Sequence, residues 1–165
     1  MGRMITLSLG MTFFAALASS AAAQVEIREL TGIIEGHEVG GVSVDRTGIV
    51  YAADFGDIVW RITPEGKRSV LARGLYGTAG NAVDAKGNLL QASFYSDEIV
   101  KIDRKGNVTP FVISGLNRPA GIAVDRKTGT AFVTNCGNNM ISHVSADGAA
   151  SKFAESGLFN CPYGV

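Results

Sequence analysis

A chain of 165 residues, 46% hydrophobic and 18% charged, has room for one well-filled domain and is too apolar for a disordered tail. Its 15 Lys and Arg balance 15 Asp and Glu, so the net charge is zero. That leaves no basic stripe for nucleic acid and no acidic tail for a cationic partner.

The first residues read as an export signal. Met1-Gly2-Arg3 gives a short positive start, residues 5–17 an apolar run, and Ala21-Ala22-Ala23 before Gln24 the small residues a signal peptidase needs. The pattern predicts a cleavable signal peptide at 1–23, cut after Ala23, and a periplasmic or secreted mature chain. The other reading is an N-terminal anchor helix, but the run is short for a membrane span. No later stretch is long and apolar enough for one.

From residue 40 the chain repeats itself. Gly41-Val42-Ser43-Val44-Asp45, Gly80-Asn81-Ala82-Val83-Asp84 and Gly121-Ile122-Ala123-Val124-Asp125 are spaced by 39 and 41 residues. Pro162-Tyr163-Gly164-Val165 begins a fourth copy, with its glycine 43 residues on. Each Asp is followed by a glycine turn (Gly48, Gly87, Gly129) and an apolar segment ending in a polar residue (50–54, 89–93, 131–135). A short loop leads to a third segment (58–62, 99–102, 140–144). A second turn at Gly66, Gly106 and Asp147-Gly148 leads to a fourth (69–72, 109–112, 151–154). Short β-rich runs bounded by Gly, Asp and Asn are strands joined by hairpins. No segment of the mature chain has helical periodicity.

Each repeat is thus a four-stranded antiparallel meander of about 40 residues, one blade of a β-propeller. The fold class is all-β, with blades starting near 40, 79, 120 and 163 of a partial propeller at 24–165. An open β-sandwich with coincidental spacing is the alternative. Residues 25–31 sit where the fourth strand of a blade would sit and are predicted to close the last blade. A ring has roughly 4 to 8 blades, so the expectation is a fragment, with further blades beyond Val165.

The repeated Gly-x-x-Val-Asp, the glycine turn after it and Tyr51-Ala52-Ala53-Asp54 resemble the NHL repeat. They also resemble blades of the superfamily of SMP-30/gluconolactonases, strictosidine-synthase-like proteins and virginiamycin B lyase. The resemblance covers residues 24–165 and implies about six blades, of which about three are present. For the lactonases it further implies a metal, usually calcium, held in the channel by a Glu, two Asn and an Asp on inner strands. The matching positions here are Gly40, Ala79, Ala120 and Tyr163, none a carboxylate or amide. No metal site is therefore assigned, and calcium is implied by resemblance alone. The residues that the resemblance to the lyase implies for catalysis fall in later blades.

A propeller gathers its second-to-third loops and its blade connections on one face. Asp54, Ser93 and Asn135 end the second strands at equivalent positions, with Asp57, Tyr95, Ser96, Asp97, Asn138 and Asn139 nearby. Convergent polar groups make Asp54, Asp57, Ser93, Asp97, Asn135 and Asn139 ligand-binding candidates at the channel mouth. The same residue types also suit turns that bond their own backbone. His37, beside Glu38 at the start of the first inner strand, joins the candidates, since such a pair can bind a metal or move a proton. A surface turn is its other reading. Asn81, two positions on from Ala79, has the option of pointing into the channel, but one Asn is not a site. Asp45, Asp84 and Asp125 recur in every blade and read as turn formers. His143 aligns with Arg61 and Lys101 on a solvated face.

Cys136 and Cys161 fall in loops of the same face. In an oxidising compartment they are predicted to form a disulfide; two buried thiols are the alternative. The resulting expectation is an exported propeller that binds a small molecule, or a protein or glycan partner, at the channel mouth. The alternative is a lactonase-like hydrolase or a lyase with its catalytic residues in later blades. The sequence names neither ligand nor catalytic residue.

Overall fold

The computed structural model describes residues 38–165. The signal peptide predicted at 1–23, the strand expected at 25–31 and His37 lie outside the described residues. Twelve strands follow: β1 (Val42–Val44), β2 (Val50–Ala53), β3 (Val59–Ile62), β4 (Arg68–Ala72), β5 (Thr78–Val83), β6 (Leu89–Ser93), β7 (Glu98–Ile102), β8 (Val108–Val112), β9 (Pro119–Val124), β10 (Ala131–Asn135), β11 (Met140–Val144) and β12 (Ala150–Glu155). They form three sheets in meander order, β1–β4, β5–β8 and β9–β12, all antiparallel. The strands begin and end within two residues of the expected segments. Residues 162–165 are not in a strand, and among the described residues no strand pairs beside them.

Local turn chemistry explains the meander. Asp45 accepts hydrogen bonds from the Thr47 and Ile49 backbone N–H groups, and Asp84 from those of Lys86 and Asn88. Asp125 accepts from the Lys127 N–H and the Thr128 hydroxyl. Asp103 does the same work in the β7–β8 turn, for Lys105 and Asn107. A carboxylate that gathers two donors folds the chain back within five residues, as Asx turns do. The Asn107 amide holds the Asp103 carboxyl below its ordinary pKa, and the Lys127 N–H does so for Asp125.

Two apolar seams join the sheets. Tyr51, Ala53 and Val59 of the first sheet pack with Val83, Leu89 and Ile102 of the second. Leu90, Ala92 and Ile99 on the other face of the second sheet pack with Ile122, Val133 and Val144 of the third. Leu89, Ile99 and Ile102 are fully buried, and each such side chain is worth about 1.5–3 kcal/mol. Apolar residues on alternate positions serve opposite faces, so the second sheet is apolar on both sides.

The inner strands β1, β5 and β9 meet backbone to backbone. A Cβ on Gly80 would lie 2.2 Å from the Ala120 carbonyl oxygen, and one on Gly121 2.3 Å from that of Tyr163. This is why glycine recurs at the head of each repeat: nothing larger fits between converging strands. The Tyr163 contact puts residue 163 where the next inner strand belongs.

Candidate functional site

The β2–β3, β6–β7 and β10–β11 loops share one end of the sheets with the connections β4–β5 and β8–β9. Backbone bonds sew these segments together. The Gly77 N–H donates to Gly56 at 2.9 Å, the Phe94 N–H to Gly77 at 2.8 Å and the Cys136 N–H to Arg118 at 3.0 Å. Each connection ends on a residue with positive φ before the inner strand: Gly77 at 70°, Arg118 and Cys161 both at 48°.

The polar residues singled out in the sequence divide into two groups. Asp54, Ser93 and Asn135 are buried. Asp54 accepts from the Gly56 and Ile58 N–H groups and from the Thr78 hydroxyl. Asn135 accepts the Asn117 N–H and donates to the Ser142 hydroxyl, both at 3.0 Å. Asp57, Asp97 and Asn139 are exposed. Asp97 and Asn139 occupy equivalent places, at φ 58° and 57°. Asp97 accepts the Arg118 N–H at 2.6 Å and Asn139 the Cys161 N–H at 2.9 Å. Their side chains brace the turn into the next inner strand while lying at the solvent boundary.

Asn81 is buried, and its amide donates to the Gly41 carbonyl and to Gln91, both at 3.2 Å, rather than opening into a channel. It ties inner strand β5 to the segment leading into β1, because its position on the strand faces the first sheet.

Cys136 and Cys161 are joined in a disulfide. It links the β10–β11 loop to the segment that follows β12. His143 stands partly buried, edge-on to Phe132 at 5.5 Å between ring centroids.

The same end of the molecule carries an aromatic platform. Tyr95 has its ring centroid 5.3 Å from Tyr76, 5.2 Å from Phe94 and 6.1 Å from Phe55. Phe94 stacks with Tyr163 at 6.3 Å, and the Arg118 guanidinium lies 6.0 Å from the Phe94 ring. Phe94 is buried beneath, while Tyr76, Tyr95 and Tyr163 are 66%, 55% and 50% exposed. Burial pushes the Tyr163 phenol above its ordinary pKa, and the nearby Tyr95 and Glu38 raise it further. Three half-exposed phenol rings with a cation and a carboxylate beside them suit a ligand with a flat or apolar face and hydroxyl groups. Of these residues the sequence marks Tyr95 among the loop residues and Tyr163 only as a position in the fourth repeat.

The positions that would hold channel calcium do not fit it. Gly40, Ala79 and Ala120 carry no donor side chain, and Ala79 and Ala120 are buried. Calcium needs six or more oxygen ligands, and one Tyr163 phenol does not supply them. Among the described residues no three His, Cys, Asp or Glu side chains come together as metal ligands.

No protein-family model matches the chain, and no curated protein matches it. Solved structures do. A virginiamycin B lyase from Staphylococcus aureus is 18% identical, with a TM-score of 0.62 over 74% of this chain and 43% of that one. A chain of the nidogen/laminin complex is 21% identical, with a TM-score of 0.70 over 78% and 52%. A gluconolactonase from Xanthomonas campestris is 21% identical, with a TM-score of 0.65 over 73% and 48%. The likeness is one of fold: the chain is built of β-propeller blades. It spans about half the length of the structures it matches.

Proposed function

We propose that this chain is an exported β-propeller that binds a small ligand at the channel mouth, on the platform of Tyr76, Tyr95 and Tyr163. The exposure of these three rings around a buried Phe94 carries the reading. Large aromatics are expensive to leave in water and are prominent at binding surfaces. The polar residues of the same loops serve the site indirectly, with Asp97 and Asn139 fixing the connections that present Arg118 and Tyr163. The disulfide supports export, since such bonds persist in oxidising compartments.

A thermal-shift screen of sugars and small aromatic molecules against the full chain and its Tyr95→Ala variant tests this. A compound that raises Tm of the parent and not of the variant supports the mouth as the site. Hits that act equally on both would move the site elsewhere. The lyase and gluconolactonase among the fold relatives call for a parallel assay of small lactones with and without calcium. Turnover there would replace the binding reading with an enzymatic one.

A further inference from the structure

The opposite end of the sheets, where the β5–β6, β9–β10 and β11–β12 turns lie, holds a cleft of about 300 Å³ between the second and third sheets. Lys86, Lys101, Arg126 and Lys127 line it, and Asp84 is the sole acidic residue there. The Asp84 carboxylate is already engaged by the N–H groups of Lys86 and Asn88 and by the Asn88 amide. Four cations against one carboxylate leave three positive charges in excess, and among the described residues none of the four is in an ion pair. A smaller cleft beside it shares Asp84 and Arg126 and adds Arg46, Arg104 and Asp45.

Two of these cations are held in place. The Arg126 Nε donates to the Val83 carbonyl at 3.2 Å, which lays the guanidinium across the seam with its outer N–H groups unused. The Lys101 ammonium lies 4.1 Å from the Phe111 ring centroid. Like charges gathered in a concave, partly apolar site raise the local potential and favour an anion. A fixed guanidinium and several ammonium groups are the donor set that recognises phosphate oxygens.

We infer that this cleft is a second binding site, independent of the mouth, for a phosphate-bearing anion of two or more charges. Its volume is at the small end of ligand pockets, the size of a diphosphate with little attached. The bound group neutralises Lys86, Lys101, Arg126 and Lys127, and its binding weakens as salt rises.

The test is titration calorimetry of the full chain with inorganic pyrophosphate at low salt, with a second arm using vesicles of phosphatidylglycerol in phosphatidylcholine. One-site pyrophosphate binding is expected. It should weaken about tenfold or more in a Lys86→Gln/Lys127→Gln double variant, since charge-assisted contacts are the strong ones. Both residues are exposed, so the variant keeps its fold, which its Tm checks. Tyr95→Ala at the mouth should bind as the parent does. Vesicle binding without pyrophosphate binding, lost in the double variant, would assign the site to a lipid headgroup rather than a free anion. Binding in neither arm, or binding undiminished in a folded double variant, overturns the inference.

Discussion

The Asp97 carboxylate accepts the backbone N–H of Arg118 at 2.6 Å, across 21 residues and from one blade loop to the connection of the next. It thereby stabilises a residue held at φ 48° immediately before Pro119. Asp97→Ala should cost about 1–3 kcal/mol by chemical denaturation, the range for a hydrogen bond to a charged group. Because Arg118 and the Phe94 ring move with that turn, mouth ligands should also bind more weakly. A stability loss with unchanged ligand binding would separate the brace from the site.

Asp45 predicts an acid dependence. Burial raises its pKa, but the Thr47 hydroxyl and N–H, the Ile49 N–H and the Tyr51 phenol outweigh burial and hold the carboxyl below its ordinary value. A folded pKa below the unfolded one gives stability that is present above about pH 4 and lost as pH falls through the folded pKa. Denaturant midpoints measured from neutral pH downward should fall, and Asp45→Asn should flatten that fall.

The disulfide closes a loop of 25 positions holding β11 and β12. Removing it by Cys136→Ser with Cys161→Ser should cost roughly 2–4 kcal/mol. The loss should be matched by adding reductant to the parent, and the variant should no longer respond to reductant.

Gly121 predicts a severe effect from one methyl group. Gly121→Ala puts a Cβ 2.3 Å from the Tyr163 carbonyl oxygen and 3.0 Å from the Thr134 hydroxyl. The inner strands must spread, at about 3 kcal/mol. Gly66→Ala, by contrast, meets no atom within 4 Å, so its cost is only that of its φ of 81°. Comparing the two by thermal melting separates crowding from backbone strain.

The blades were legible because their signals are local: Asp45 and Asp84 gather the N–H groups two and four residues on, and Asp125 gathers the Lys127 N–H and the Thr128 hydroxyl. The site was less legible for two reasons. The turn reading of these residue types holds for Asp54, which bonds its own loop, but spacing did not reveal that Ser93 is buried or that Asn135 accepts the Asn117 N–H of a neighbouring connection. The platform needs Tyr76, Tyr95 and Tyr163 from three separate repeats, and no linear pattern announces rings that meet only after the blades pack. Asn81 was left open for a related reason: the repeat gave its position along the strand, not which neighbour its side chain would meet.

The contact between inner strands limits how such a molecule diversifies. With Gly80 and Gly121 pressed against neighbouring carbonyls, the axis tolerates almost no variation. The loops above it tolerate more, since their ends are tied by main-chain bonds that accept any side chain. A selection for new specificities should randomise Tyr76, Tyr95 and Asn138 and leave the glycines untouched. Surviving clones would then differ at the rim and be identical at the spine.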